Sequence, residues 1–405
     1  MDPLEIMLNL DKVIPYYNPV ISADTHLVAG YEARPYFQQA DGSLEELDWF
    51  LEDATIPDEF HLELNCHLQQ KAMEKLLMTE QPTNLSFYYD AGLLIRDNGE
   101  SLLSVLHAYA ERGLDLKRII IEIKESYMAA EFDTLRNLFK YLKTLGIRIA
   151  VDVEQQNGSL DRLALVKPNI IKVDAGFLKD EFLPHLYRDV YHSLSMLSRK
   201  IGATLLFKGI SSYNQLNYAW RNGGHYYEGT YLEQEGPEFI PVDSCQEKIK
   251  TNFRQFVIFE KRKVKAQLEL MNQISEQFKM TLPEINPEQS YDELILSVGK
   301  ACMDFAFRVY ICNGEGIQLS SNAEKNREEA WELIQEGRNK NWSWRPYFFE
   351  NIMRMNVEKK GLLSDLYTDI ERDELIRTYS YPISDELYVF LDIPYEYLYE
   401  QEGLL

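Results

Sequence analysis

The chain has 405 residues, of which 45% are hydrophobic and 26% charged, so we expect a globular protein with two domains. Its 42 basic and 65 acidic side chains give a net charge of −23, which argues against a general DNA-binding or anionic-membrane-binding surface. Four cysteines without CxxC spacing predict thiols in a reducing compartment. The start, MDPLEIMLNL, is acidic where a signal peptide would be basic, and no apolar run approaches about 18 residues. We therefore predict a cytoplasmic protein.

Residues 27 to about 232 repeat one pattern, in which a short apolar or β-branched run is followed by a segment with helical spacing. Near-continuous apolar strands are typical of a parallel sheet covered by helices on both faces. At least seven such units predict an α/β fold of the TIM-like (β/α) barrel type, with a doubly wound open sheet as the alternative. The runs are LVAGYEARPYF, TNLSFYY, RIIIEIKE, RIAVDVE, IIKVDAG, TLLFKGI and HYYEGTYL.

A different pattern starts near Cys245, where 35 residues contain neither glycine nor proline and predict one long helix. An apolar stripe along this helix favours a homodimer contact. After about residue 290 a helix precedes apolar runs separated by turns, which predicts a small α+β sensor-like domain. The predicted domains are a barrel (1–240), a connecting helix (241–282) and a PAS-like or Cache-like domain (283–405).

Polar side chains stand where the predicted barrel strands end. Because the carboxyl ends of barrel strands meet on one face, we expect these side chains to form one site. Buried charges must pair or bind a metal ion, since an isolated one costs several kcal/mol. The set is Glu32, Tyr88, Glu122, Asp152, Lys172, Asp174, Lys208 and Glu228.

The segments that carry this set are GYEARPYF, EIKE, VDV, IKVD, KGIS and HYYEGTYL. They resemble the motifs of the EAL-domain cyclic-di-GMP phosphodiesterases, and the whole chain is similar to the YkuI type, in which a PAS-like or Cache-like domain follows the EAL domain. The resemblance implies a TIM-like barrel whose first strand is antiparallel. It also implies hydrolysis of cyclic di-GMP to linear pGpG with Mg²⁺ or Mn²⁺.

Several motif positions match the family. Glu32 stands at the glutamate of ExLxR, Glu122 at the first glutamate of ELTE and Asp152 at the first aspartate of DDFG, and the resemblance implies that all three are metal ligands. Lys172 matches the lysine that contacts the attacking water, with Asp174 beside it.

Other positions depart from the family. Arg34 replaces a leucine, Tyr36 the phosphate-binding arginine, Tyr88 a metal-binding asparagine and Glu228 the glutamine of QGY. We consider two interpretations for these side chains. Together with Asp174 they form a nucleotide pocket, in which the tyrosines stack a base and Arg34 contacts a phosphate, or they fill space and pair internally.

Three further departures remove negative charge. Val153 replaces the second DDFG aspartate, and Lys208 and Ser211 replace the glutamates of EGVE. Two-metal hydrolysis needs several carboxylates around two cations, and a lysine ammonium at that place repels Mg²⁺. We therefore expect no cofactor, with Mg²⁺ or Mn²⁺ only if activity remains, and we expect Glu32, Glu122 and Asp152 to pair with Lys172 and Lys208.

The segment NWSWRPYF and the later YTD resemble Cache-like sensor domains, in which aromatic and charged groups line a ligand pocket. The alternative is a structural role, with aromatic side chains under the sheet and Arg345 tied to Asp369. The candidate pocket residues are Trp344, Arg345, Tyr347, Tyr367 and Asp369.

The sequence thus predicts a catalytically degenerate EAL protein that regulates or scaffolds, with cyclic di-GMP or a protein as partner. One alternative is a weakly active phosphodiesterase that uses Glu32, Glu122 and Asp152. Another is a small-molecule sensor acting through the C-terminal domain.

Overall fold

The computed structural model describes residues 2–124, 132–153, 160–176, 185–281, 289–302, 304–326, 328–345 and 348–402. The chain divides into two compact units, Met1–Phe256 and Val257–Leu405. The domain boundaries drawn from the sequence at residues 240 and 282 stay predictions.

A closed β-barrel forms the body of the first unit. β1 is antiparallel to β2 and β9, and the pairings from β2 through β4 to β9 are parallel, with β3 appended to β2. The strands are β1 (Val13–Ser22), β2 (Val28–Gln38), β3 (Leu44–Glu46), β4 (Asn84–Tyr88), β5 (Ile119–Lys124), β6 (Arg148–Val153), β7 (Ile170–Asp174), β8 (Thr204–Lys208) and β9 (Gly224–Tyr227).

The antiparallel strand β1 is an element that hydrophobic patterning did not identify. Its segment, VIPYYNPVIS, contains Pro15 and Pro19, which cannot donate to a sheet ladder and therefore argue against a central strand. The barrel tolerates them because β1 pairs with β9 through Ile21 and Ser22 alone. The long ladder with β2 thus supplies most of its strand pairing.

Helices cover the outside of this barrel. β-branched runs such as IIIEIK in β5 are buried on both faces, as expected for a parallel strand between helices and barrel interior. The helices of the first unit are α1 (Pro3–Leu8), α2 (Asp48–Glu52), α3 (Asp58–Met78), α4 (Ala91–Arg96), α5 (Glu100–Glu111), α6 (Phe132–Thr144), α7 (Leu160–Val166), α8 (His185–Ile201) and α9 (Tyr213–Arg221).

The barrel interior has its own apolar layer, which supports the site from below. The layer contains Val20, Ile120, Ala150, Ile170 and Leu206, with Tyr226 packed against it. A second, larger core lies between the strands and the covering helices. The strands are therefore held on both faces, and their carboxyl ends are rigidly spaced.

The long predicted helix is α10 (Gln246–Thr281). Its first part packs into the core of the first unit through Ile249, Phe253 and Phe256, and its last part packs into the second unit through a further set of apolar residues. That set is Leu270, Ile274 and Phe278. Val264 and Leu268 are about half exposed, at 51% and 52%.

The second unit is built on an antiparallel sheet in the order β12-β11-β10-β16-β15-β13, with β14 paired to β15. The predicted α/β barrel with a C-terminal α+β domain is confirmed. In the described ranges, no helix is long and apolar enough to cross a membrane. The elements are α11 (Tyr291–Ala301), β10 (Arg308–Asn313), β11 (Asn322–Lys325), β12 (Trp331–Ile334), α12 (Phe348–Glu358), β13 (Leu362–Leu363), β14 (Tyr367–Thr368), β15 (Leu375–Pro382), β16 (Leu387–Pro394) and α13 (Tyr395–Glu402).

Candidate functional site

The barrel brings the predicted strand-end side chains together through the register of its parallel strands. Asp152 on β6 is the register partner of Lys172 on β7, and Asp174 is the partner of Lys208 on β8. Residues of equal parity on a strand face the same side, so these side chains converge on the carboxyl end of the barrel.

Lys172 lies at the centre of a buried cluster of carboxylates. Its Nζ donates to Glu122 Oε2 at 2.7 Å and to Glu32 Oε2 at 2.8 Å, and it lies 3.3 Å from Glu228 Oε1. The Lys172 side chain is only 2% exposed. Ser86, a residue that the motifs did not indicate, donates from Oγ to Glu122 Oε2 at 3.3 Å. Three carboxylates therefore share one ammonium in a nearly dry environment.

The charges of this cluster shift its pKa values in different directions. Burial alone would lower the pKa of Lys172, but the surrounding carboxylates hold it well above its usual value. Burial opposes ionisation of Glu32 as well, yet Lys172 and Arg34 lower its pKa to about 2. Burial raises the pKa of Glu122, and it raises the pKa of Glu228 to about 8 against the pull of Lys172. One ammonium thus cannot keep all three carboxylates ionised.

Glu228 retains hydrogen-bonding capacity. Its Oε2 is buried and has no hydrogen-bond partner among the residues that the structure describes. The Glu228 backbone is held between Phe207 and Ile210, with N–H···O distances of 2.9 and 3.0 Å. Gly229 follows with φ of 143°, and a Cβ there would collide with the Ile210 backbone, so this turn requires glycine. The chain therefore fixes Glu228 with one carboxyl oxygen that has no partner among the described residues.

Lys208 pairs with a different carboxylate. Its Nζ donates to Asp152 Oδ2, and the Lys208 side chain is 30% exposed while that of Asp152 is 5% exposed. Asp174 accepts a hydrogen bond from the Gly176 backbone at 2.6 Å. Lys172 and Lys208 thus divide the three predicted metal ligands between them: Lys172 pairs with Glu32 and Glu122, and Lys208 with Asp152.

Arg34 is surrounded by acidic side chains. Its guanidinium lies 2.7 Å from Glu46 and 2.5 Å from Asp48, and its Nε lies 3.6 Å from Glu32 Oε1. Sequence reasoning did not identify Glu46 and Asp48, which lie on and just after the short strand β3. Of the two interpretations, internal pairing is the one that this geometry fits.

The two predicted tyrosines lie on different sides of the site. Tyr36 donates its hydroxyl to Glu235 Oε1, and its ring lies 4.5 Å from that of Tyr16. Tyr88 lines a cleft of about 100 Å³ together with Glu122, Asp152 and Lys208. Tyr88 is therefore beside the predicted metal ligands, whereas Tyr36 is at the rim.

An adjoining larger cleft, here called the acidic cleft, opens beside Glu228 and has a volume of about 410 Å³. Among the described residues, its lining has more acidic than basic side chains, because Arg34 and Lys208 alone oppose the carboxylates. The acidic residues are Glu32, Asp174, Glu228, Glu233 and Glu235. An anion that enters this cleft meets a negative potential unless a cation accompanies it.

Comparison with known proteins agrees with this geometry. The EAL domain model matches residues 2–235, and the model of the EAL-domain associated signalling protein domain matches residues 239–405. The chain belongs to the EAL-domain family.

Similarity extends over the whole of one EAL relative. The chain is 40% identical over 408 residues to the uncharacterized EAL-domain containing protein YkuI of Bacillus subtilis, and the match covers all of both chains. The crystal structure of B. subtilis YkuI, in complex with substrate c-di-GMP and calcium, superposes with a TM-score of 0.94 at 39% identity over 100% of each chain. The predicted resemblance to the YkuI type is confirmed.

A more distant structure shares the EAL fold alone. The EAL domain of Xanthomonas citri FimX, in complex with c-diGMP, superposes with a TM-score of 0.50 at 15% identity and covers 59% of this chain and 94% of its own.

The EAL family implies divalent cations at the strand ends, and the residues present do not fit a pair of them. Within the described ranges, no three Asp, Glu, His or Cys side chains are arranged to hold a metal ion. Val153, at an acidic motif position, ends β6. Ser211 donates instead to Gln215 Oε1 at 2.9 Å, and Lys208 adds a positive charge beside Asp152. The oxygen donors that match the family are those of Glu32, Glu122 and Asp152.

The residues predicted to form a C-terminal pocket do not all lie together in the EAL-associated domain. Arg345 and Tyr367 line one cavity, whereas Trp344 is 65% exposed. Asp369 lies in another cluster, where it accepts hydrogen bonds from Arg308 at 2.8 and 3.3 Å. Tyr347 lies outside the described residues.

The cavity has walls that the sequence motif did not identify. They include Trp342 and Thr378. Trp342 lies in the same NWSWR segment, three residues before Arg345. The sequence analysis selected the neighbouring Trp344, but Trp342 is the one that lines the cavity.

Proposed function

We propose that this EAL protein is a cytoplasmic regulator that binds c-di-GMP without hydrolysing it. The observation that carries the proposal is the pairing of every surviving family ligand with an ammonium, Glu32 and Glu122 with Lys172 and Asp152 with Lys208. The site balances its charges with its own lysines, which reduces its capacity for two divalent cations.

Nucleotide binding is supported by the full-length likeness to a relative whose crystal structure is described as a complex with c-di-GMP and calcium. The volume of about 410 Å³ of the acidic cleft is of the size found for small-molecule sites. Glu228 Oε2 lies at its wall without a hydrogen-bond partner among the described residues, and a polar group of a ligand would complete its hydrogen bonding.

The charge of the acidic cleft bears on the conditions for binding. C-di-GMP carries two phosphodiester charges, and five carboxylates face two basic side chains in the cleft lining. A divalent cation would offset this repulsion. We therefore expect c-di-GMP to bind more tightly in the presence of Ca²⁺ or Mn²⁺ than in the presence of a chelator.

The test is a calorimetric titration of the purified chain with c-di-GMP, combined with chromatographic analysis of products. Binding heat with Ca²⁺ or Mn²⁺, a weaker signal with EDTA and no pGpG above the protein-free control support the proposal. Formation of pGpG with Mn²⁺ that Glu122→Gln abolishes would establish the weak phosphodiesterase instead. An absence of binding heat under every ionic condition would refute nucleotide binding.

A homodimer is the second part of the proposal. The half-exposed Val264 and Leu268 on α10 are four residues apart, a helical spacing that suits an apolar contact with a second copy. Light scattering on the wild type and on Val264→Glu tests this: a dimer that the substitution dissociates supports the contact, and a monomeric wild type contradicts it. A protein partner of the regulator is a further proposal, for which pull-down with and without c-di-GMP is the experiment.

A further inference from the structure

Two tyrosines, here called the tyrosine pair, lie side by side on the first two strands of the barrel. The rings of Tyr16 on β1 and Tyr36 on β2 are 4.5 Å apart between centroids, with an interplanar angle of 35°. Both residues are partly exposed. Tyr36 also donates its hydroxyl to Glu235 Oε1, which fixes one ring of the pair. The pair is therefore an ordered aromatic surface that solvent reaches.

The alternation of side chains along each strand places the tyrosine pair at the acidic cleft. Tyr16 is two residues from Asn18 on β1 and faces the same side of the sheet. Tyr36 is related in the same way to Arg34 on β2. Asn18, Arg34 and Glu235 all line the acidic cleft. The tyrosine pair is therefore part of the rim of this cleft.

The acidic cleft itself offers no surface on which a nucleobase could stack. Among the described residues that line it, none has an aromatic side chain. Tyr88 lines the other cleft, whose volume of about 100 Å³ is too small for a nucleoside. Proteins hold unpaired bases largely by stacking them on aromatic rings. The tyrosine pair supplies that surface at the rim.

Glu235 places a carboxylate beside the tyrosine pair. Its Oε1 accepts the hydrogen bond of the Tyr36 hydroxyl, and its Oε2 has no hydrogen-bond partner among the described residues. Oε2 lies 3.8 Å from Arg34 Nη1, and the Glu235 side chain is 28% exposed. A carboxylate only accepts hydrogen bonds. It therefore suits the N1–H and N2–H donors of guanine and repels the N1 acceptor of adenine.

We propose that Tyr16, Tyr36 and Glu235 form a guanine-selective subsite at the rim of the acidic cleft. One base of the nucleotide stacks on the tyrosine pair and donates from N1–H and N2–H to Glu235, while the rest of the ligand extends into the cleft. The inference rests on the c-di-GMP binding proposed above, and it names the residues that select the base.

Calorimetric titration of the full chain with c-di-GMP and with c-di-AMP, both in the presence of Ca²⁺, tests the selectivity. The two ligands carry the same phosphodiester charges, so the ratio of their affinities reports on the base. The wild type should bind c-di-GMP at least about tenfold more tightly. Glu235→Gln still accepts from Tyr36 and should reduce this ratio at least about fivefold. Glu233→Gln removes the same charge from the same cleft and should leave the ratio unchanged.

NMR of the bound ligand tests the stacking. In the wild type the ring currents of the tyrosine pair should move the guanine H8 signal upfield. Tyr16→Leu and Tyr36→Leu should lose this shift and weaken c-di-GMP binding about fivefold or more. Tyr36→Phe keeps the ring and should keep the shift. Tyr141→Leu, which removes a tyrosine that is 45% exposed on α6, should match the wild type in both measurements.

Thermal unfolding of each variant separates loss of binding from loss of folding. Wild-type c-di-GMP affinity in either leucine variant overturns the subsite and leaves c-di-GMP binding in place. Equal affinity of the wild type for the two ligands, or an unchanged ratio in Glu235→Gln, has the same meaning. An absence of binding heat for the wild type under every ionic condition refutes both the subsite and the proposed function.

Discussion

Each unit of this protein buries one cation among several carboxylates, and the two clusters differ in how fully their oxygens are hydrogen-bonded. In the second unit, Arg308 contacts Glu324 at 3.0 Å, Asp369 at 2.8 Å and Asp392 at 3.0 Å. Thr378 donates to the other Asp392 oxygen. Glu371 lies 3.2 Å from Arg308, so the planar guanidinium contacts four carboxylates.

In the barrel, Lys172 faces Glu32, Glu122 and Glu228 with a compact ammonium and three donors. The third contact is long, at 3.3 Å, and Glu228 Oε2 is left without a partner among the described residues. This cluster also borders a cleft, through Glu32 and Glu228.

The comparison indicates different roles for similar charges. A saturated cluster such as that of Arg308 has no capacity left for a ligand, and its role is to hold β10 against its neighbours. An under-saturated cluster at the end of a barrel retains an unpaired carboxyl oxygen and a raised pKa, and perturbed pKa values are typical of functional sites. The predictions below test this distinction.

The largest effects should come from removing either cation. Lys172→Met and Arg308→Met each leave buried carboxylates without their counter-charge, and each should lower the free energy of unfolding by about 3–5 kcal/mol. Urea denaturation followed by circular dichroism measures the loss. Arg354→Met, which removes an exposed partner of Glu358, should cost no more than about 0.5 kcal/mol. A loss below about 1 kcal/mol in Lys172→Met would mean that its contacts are not net stabilising.

The next effect is a pH dependence that belongs to the barrel cluster. The pKa of Glu228 is raised from its usual 4.5 to about 8. The folded pKa lies above the unfolded one, so this group's contribution to stability is complete below the unfolded pKa and is lost as pH rises through about 8. Between these values the wild type should lose up to about 1.4 kcal/mol per pH unit relative to Glu228→Gln.

Urea midpoints from about pH 5 to about pH 9 check the Glu228 prediction. The two proteins should differ least in acid, and Glu228→Gln should be the more stable in alkali. Glu233→Gln, on the same cleft, is the matched control and should retain the wild-type dependence. Parallel curves for the wild type and Glu228→Gln would contradict the raised pKa.

A smaller effect should appear in cation affinity. Lys208→Gln removes a positive charge beside Asp152, so we expect the apparent Mn²⁺ affinity to increase about tenfold, or about 1.4 kcal/mol. Electron paramagnetic resonance of free Mn²⁺ measures it. Lys124 lines the same cleft as Tyr88 and Lys208 but pairs with Glu52. Lys124→Gln should therefore change the Mn²⁺ affinity less. An equal increase in Mn²⁺ affinity in both variants would indicate that the net charge of the protein, and not the lysine beside Asp152, limits cation binding.

The smallest difference concerns the neutral hydroxyl in each cluster. Thr378 donates to Asp392 at 2.7 Å, whereas Ser86 reaches Glu122 at 3.3 Å. Thr378→Val should therefore cost about 1–3 kcal/mol and Ser86→Ala less than about 1 kcal/mol. Chemical denaturation at neutral pH measures both losses of stability. A larger loss in Ser86→Ala than in Thr378→Val would show that the hydroxyl hydrogen bond of the barrel cluster is the stronger of the two.

Much of the fold was predictable because it follows from local patterns. Runs such as RIIIEIKE and RIAVDVE mark buried parallel strands, and the uninterrupted stretch after Cys245 marks the helix α10. The family resemblance implied an antiparallel first strand, but the pattern of residues did not mark its segment, since its prolines are acceptable only because of the neighbours that the closed barrel provides. Short strands such as β11 (Asn322–Lys325) were missed for a similar reason, as four residues carry little periodicity.

The candidate site was predictable as a set of residues but not as a set of pairs. The positions at the ends of the predicted strands indicated Glu32, Glu122 and Asp152, while the partners of Arg34 come from the short strand β3 and the start of α2, which have no motif of their own. Asp369 illustrates the same limit, since its hydrogen bonds come from Arg308, a residue 61 positions away in the chain.

The sequence by itself determined which residues reach the carboxyl ends of the strands, because alternation along a strand is a local property of the backbone. It also determined the family, through motifs that the comparisons matched. Only the tertiary structure decided which lysine neutralises which carboxylate and which oxygen of Glu228 stays unpaired. The reason is physical: ion pairing depends on distances of a few ångströms between side chains that are far apart in the chain, and barrel closure sets those distances.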